Sequence, residues 1–201
     1  MTTLDFHDGL GPVPAHQHQN ADGTWGGWVA DAAKVSDNAT ISAAAQVASG
    51  ARVLEYAKIM GGVRIVGRAT IMGCAQVLGL AVVGGNATVG GYAIVRGKAS
   101  IGGSALVVEN AAVFDDAIVD GLAKIGGHAN IGGHAQIHDN AVVGGRVLVA
   151  GYAVLGGNAR FHAGRIVTGH KFGKRQCPGI VWPISAETIA ALTELDGAIG
   201  R

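Results

Sequence analysis

The sequence predicts an all-β chain wound as a parallel β-helix of about eight 18-residue coils, closed by a short C-terminal α-helix. Three observations carry that prediction. Apolar residues recur every six positions without interruption, small residues recur two positions ahead of them, and glycine, 34 of 201 residues, gathers at two further positions of the same period. An amphipathic helix needs apolar recurrence near 3.6. The alternation of an ordinary half-buried strand lasts here for one Ala-x-Val triplet and then resets.

The first run steps from Val29 through Val35, Ile41, Val47 and Val53 to Leu155, Phe161 and Val167, twenty-four aliphatic or aromatic residues in all. The second, from Ala33 to Ala159, is alanine everywhere except Val63 and Val147. A large side chain fills the middle of a face, and a small one sits where the backbone turns toward a narrow axis. Glycine pairs such as Gly84-Gly85, Gly126-Gly127 and Gly144-Gly145 give the bends a residue that takes positive φ at no steric cost. Asn38, Asn86, Asn110, Asn140 and Asn158 are expected to serve the same need, because asparagine tolerates the left-handed region. Three short strands close one triangular coil, and at ~4.8 Å between strands the eight coils make a prism about 38 Å long.

The ends break the period. Residues 1–28 carry Gly11-Pro12-Val13-Pro14, His16-Gln17-His18 and Asp22-Gly23, which predicts an irregular arm whose Trp and Leu side chains cover the first open coil. The β-helix is expected over 29–168, followed by a basic connector over 169–184. Ser185 is a good N-cap, and Ile189, Leu192, Leu195 and Ile199 recur at helical spacing, so a capping helix is expected over 185–201.

A net charge of +1 gives no global attraction to nucleic acid, acidic substrates or membranes. Cys74 and Cys177 lie far apart and in no metal-like spacing; two free thiols fit a reducing compartment. No apolar stretch is long enough to span a bilayer and no leader pattern opens the chain, so a cytoplasmic protein is expected.

The hexad Val83-Gly84-Gly85-Asn86-Ala87-Thr88 resembles the transferase-hexapeptide signature, and the resemblance runs from Val29 to Val167. It implies a left-handed coil, against the usual right-handed crossover preference, and assembly as a homotrimer. Such proteins include coenzyme A-dependent acyltransferases, γ-class carbonic anhydrases and members without demonstrated chemistry, so the motif speaks for fold more than function. Outward aliphatic residues fit the trimer: Met60, Leu78, Ile94, Phe114, Leu148 and Ile166 on one face, with further sets on the other two.

For acyl transfer the resemblance implies one histidine as general base, and His128, His134, His138 and His162 are the candidates. For an anhydrase-like site it implies three zinc-binding histidines at a subunit interface. His134, His138 and His162 are the nearest set, although their spacing departs from that pattern. The His16-x-His18 pair is an incomplete metal site. Uninterrupted hexads leave no loop to wall an acceptor pocket, which argues against catalysis. Charge is more informative. From Asn140 to Ala186 there is no Asp or Glu, while Arg146, Arg160, Arg165, Lys171, Lys174 and Arg175 all fall there. The expected function is therefore non-catalytic binding or sequestration of a small phosphate-bearing, nucleotide-like ligand, with no resident cofactor. Aromatic interleaving for a nucleic-acid polymer is missing, and outward threonines are too scattered for ice binding. A purely structural scaffold is the remaining expectation.

Overall fold

The computed structural model describes residues 2–168, and all of its regular structure is β. The six-residue period becomes a parallel solenoid because strands two residues long pair with partners eighteen positions away, as in Ile41↔Ile59, Thr70↔Thr88 and Ile101↔Val119. Each coil has three faces. The first face holds strands around Val29, Val47, Ile65 and onward to Leu155; the second holds Val35, Val53, Ile71 and onward to Phe161. The third starts at Ile41, runs through the long strand Val142–Gly151 and ends in the final strand, Arg160–Thr168; both of these bend round a corner and join the second and third faces into one sheet.

From Ile41 to Val149 every member of the large register is buried, and the alanines between them are buried too. The core is thus a single column of Val and Ile, continuous from coil to coil. A fully buried side chain of this size contributes about 1.5–3 kcal/mol, and the repeat spreads that gain evenly along the axis.

The corners show why glycine is so frequent. Gly67 has φ +65, and a Cβ there would meet the carbonyl oxygen of Gly85 at 2.9 Å. Asparagine does not take this position, contrary to expectation. None of Asn38, Asn86, Asn110, Asn140 or Asn158 has positive φ; among the described residues the left-handed ones that are not glycine are His7, Glu55, Glu109, Asp115 and Asp139. Asparagine sits one place later, where its N–H joins the ladder: Asn140 donates to the Gly157 carbonyl at 2.9 Å. The acids gain a different bond. Glu55, Asp115 and Asp139 each accept the N–H of the glycine one coil on (Gly73 at 2.8 Å, Gly133 at 3.0 Å, Gly157 at 2.8 Å), and Glu109 accepts that of Gly127. That charge-assisted bond offsets the steric cost of the left-handed backbone.

The described part of the arm, residues 2–28, is not irregular as expected. Thr3–Asp5 (β1), Pro12–Gln19 (β2) and Trp25–Ala30 (β3) form an antiparallel meander that extends the first face. Nor do the arm's exposed Trp25 (62%) and Leu10 (66%) cover the first coil. Phe6, fully buried, instead folds onto the outside of the first face with Ala15, Ala30 and Ala48, and Arg64 clamps it by donating to the Phe6 carbonyl at 2.7 Å. Asn20 covers the third face: its side chain accepts from Ile41 N–H at 2.8 Å and donates to Ile41 C=O at 3.1 Å, standing in for a missing strand.

The other correction lies at the far end. Val167 was expected inside and Ile166 outside, but the final strand, Arg160–Thr168, slips by one residue. Val143 still pairs with Phe161, whereas Val149 pairs with Ile166, so Ile166 packs on the core and Val167 is 47% exposed. Keeping the eighteen-residue step would place Arg165 in the small inward register. Burying an unpaired guanidinium there is far costlier than a bulge, and the slip puts Gly164 opposite Val147 instead. The connector 169–184 and the helix expected over 185–201 lie outside the described residues. No helix of the described residues is long and apolar enough to cross a membrane.

Candidate functional site

The six cations named from the sequence divide. Lys171, Lys174 and Arg175 lie outside the described residues. Arg146, Arg160 and Arg165 are exposed on the last two coils and make no ion pair among the described residues. They surround the corner between the second and third faces. Arg160 pairs with Val142 on the second face, Arg146 occupies the corner, and Arg165 pairs with Leu148 on the third face.

At that corner Arg146 follows His128 by one coil, and the two line an open depression of about 310 Å³ with Asn130, Val147 and Leu148. Asn130 pairs in register with Leu148, and Leu148 with Arg165, so an amide, an aliphatic side chain and a guanidinium run in one column beside the His128–Arg146 column. The Asn130 amide donates to the His128 carbonyl at 3.0 Å. This arrangement offers an anion several donors and a small apolar surface. The sequence singled out His128 and Arg146 separately; the depression they share, and Asn130, were legible only once eighteen-residue stacking was applied to corner positions.

A second concavity, about 370 Å³, lies on the second face around the same corner. Its floor is Gly126, Gly127, Gly144 and Gly145; Leu106, Val108 and Val142 line it, and Lys124, Glu109 and His162 edge it. Lys124 and Glu109 did not emerge from the sequence as site residues.

Among the described residues the histidines do not converge within the chain. His134 sits at the corner between the third and first faces, stacked on Tyr152 with ring centroids 4.9 Å apart and 3.9 Å from an Asp116 carboxylate oxygen. His138 projects from the first face; its ring covers Gly156, and its Nδ1 lies 3.0 Å from Asp139. His162 is on the second face. Among the described residues no three His, Cys, Asp or Glu side chains are grouped to hold a metal. His16 is paired with Asp31 at 2.7 Å while His18 is buried, so those two do not act as a ligand pair.

One group here has a displaced acidity. The Gly157 N–H, and after it the neighbouring His138, hold the Asp139 carboxyl below the usual carboxylate range. Asp139 is consequently a fixed negative charge beside His138 at neutral pH, able to orient that ring. Comparison with protein-family models and with curated proteins gives no match to this chain.

Proposed function

We propose that the chain is a left-handed hexapeptide-type β-helix, cytoplasmic and homotrimeric, that binds or sequesters a small phosphate-bearing, nucleotide-like ligand near its C-terminal end without transforming it. The observation that supports this reading is the corner depression: Arg146 stacked beyond His128, with Arg165 one register position from Leu148, in a part of the chain devoid of carboxylates. An arginine fork matches phosphate oxygens in pairs, and Leu148 gives a base or other flat group an apolar seat. Lys171, Lys174 and Arg175 would add charge from the tail. The trimer is supported by partly exposed aliphatics along the faces, Met60, Met72, Ile118 and Val154 among them.

Calorimetry against nucleotides, cyclic dinucleotides and coenzyme A tests this. Binding without consumption is expected. Each charge-assisted contact contributes about 1.5–3 kcal/mol, so replacing Arg160 and Arg165 together should weaken it about a hundredfold or more. No binding at about 100 μM, some 5 kcal/mol of affinity, would leave the scaffold reading in its place.

Coenzyme A-dependent acyl transfer is the second reading, and one observation favours it. His138 beside ionised Asp139 is a base-and-orienter pair of the kind general-base catalysis uses. Turnover of an acyl thioester that disappears in His138→Ala, at unchanged assembly mass, would promote it. A stoichiometric zinc content would favour an anhydrase-like site instead.

A further inference from the structure

We propose that the glycine-floored trough on the second face is an oxyanion site for a small organic anion, a carboxylate or phosphoryl group on a short apolar body. It lies round the corner from the Arg146 depression and does not depend on the nucleotide reading.

The chain itself displays what such a corner binds. At six corners the N–H of the left-handed residue is met by a side-chain oxygen from the preceding coil. Ser36 serves Glu55, Ser42 serves Gly61, Glu55 serves Gly73, Glu109 serves Gly127, Asp115 serves Gly133 and Asp139 serves Gly157. At Gly145 the preceding coil presents Gly127, so, as at glycine-over-glycine corners such as Gly85 and Gly103, no side-chain oxygen of the described residues reaches that N–H; what sets Gly145 apart is its neighbours. The Gly145 nitrogen lies 2.5 Å from the point where a Gly127 Cβ would stand, the root from which a carboxylate would otherwise hang.

The surroundings of this empty place differ from those of other glycine corners. In the coil before, the Glu109 carboxylate lies 3.4 Å from the point a Gly126 Cβ would occupy. One coil on, the equivalent point at Gly144 has the His162 Nδ1 at 3.3 Å. An oxyanion seated on the Gly145 N–H as Glu109 is seated on Gly127 would therefore have an imidazole nitrogen within the span of one carboxylate or phosphoryl group. Lys124 edges the trough, and Arg160, in register with Val142, stands at its C-terminal end. Leu106, Val108 and Val142 provide the apolar lining for the body of the ligand. The one adverse charge is the Glu109 carboxylate, a coil spacing of about 4.8 Å away. It is already held by the Gly127 N–H, and Lys124 and Arg160 oppose it.

The test is calorimetry on the full-length protein with butylphosphonate and with butyrate, alongside His162→Gln, Lys124→Met and Arg146→Ala. Binding of at least one anion is expected. His162→Gln should weaken it about fivefold or more, Lys124→Met about threefold, and Arg146→Ala less than about twofold, since charge-assisted bonds are lost only in the first two. The inference is overturned if neither anion binds at about 10 mM, if His162→Gln leaves affinity unchanged, or if Arg146→Ala weakens binding as much as His162→Gln does. Failure of nucleotides to bind while butylphosphonate does would remove the corner reading and leave this one standing; the reverse pattern would do the opposite.

Discussion

Coils built from the same hexad end up with opposite chemistry in the middle and at the C-terminal end. Between Glu109 and Asp139 the corners carry acids that satisfy glycine N–H groups of the next coil, and the core register holds at eighteen residues. Between Arg160 and Thr168 the register slips and guanidinium groups replace carboxylates, and no side-chain oxygen of the described residues reaches the Gly145 N–H just before it. The acid corners tie successive middle coils together, whereas the last coils present cations in their place.

That contrast breaks most visibly in the core. Ile131, fully buried, has coils on both sides, so Ile131→Ala should cost about 3–4 kcal/mol. Ile166 is only partly covered, and Ile166→Ala should cost about 1 kcal/mol. Urea denaturation of the two variants measures the difference; equal losses would mean that the last coil is as well packed as the middle.

The corner acids give a smaller effect. Asp115→Ala removes the bond to Gly133 and keeps a Cβ at φ 60, so the melting temperature should fall by about 2–4 °C. Asp115→Gly also loses the bond but relieves the backbone, and should fall about half as far. A reversed order would show that the left-handed dihedral at this corner carries no cost that glycine relieves.

The slip can be tested with little change in stability. Arg165→Ala supplies the small residue that the inward register requires, which should return the final strand to the eighteen-residue step and bury position 167. In a Cys74→Ser, Cys177→Ser background, a cysteine at 167 should react with maleimide about tenfold more slowly when Arg165 is Ala, because the exchange of burial acts through local opening. Unchanged labelling would locate the cause of the slip elsewhere, in Ala163-Gly164.

The smallest effect is a pH dependence. The Asp139 carboxyl is depressed in the folded chain by the Gly157 N–H and by His138, against an ordinary value of 3.8. Its stabilisation is thus present above that value and is lost as pH falls below it toward the folded-state value. The melting-temperature gap between the natural chain and Asp139→Asn should be constant from pH 5 to 7 and close below about pH 4. A gap that persists at pH 3 would contradict the assignment.

How much of this was readable in advance follows from what a period can encode. Side chains at a fixed register report burial, so the column from Ile41 to Val149 was fully legible. Val167 was misplaced because its register position was judged alone, although Arg165 two residues earlier already contradicted it. The arm was hidden by Pro12 and Pro14, which read as strand breakers. They are tolerated because that stretch of β2 is flanked in register by three-residue β1, while residues 15–19 carry the pairing to β3. The basic end was legible as composition. The trough was not, since it is made of absent side chains, Gly126 and Gly144, and absence at one register has meaning only beside the occupied corners of other coils.

Asn20 has a consequence for how long this molecule is allowed to be. Stacked two-residue strands grow like a one-dimensional crystal: each finished coil is a template for the next, whichever chain supplies it. With both polar groups of Ile41 held by the Asn20 amide, and β3 overlaid by β2, a second chain arriving end-on meets a lattice site already filled by an impurity that cannot propagate. On that face one carboxamide, not a large cap, fills the backbone positions that a further strand would need.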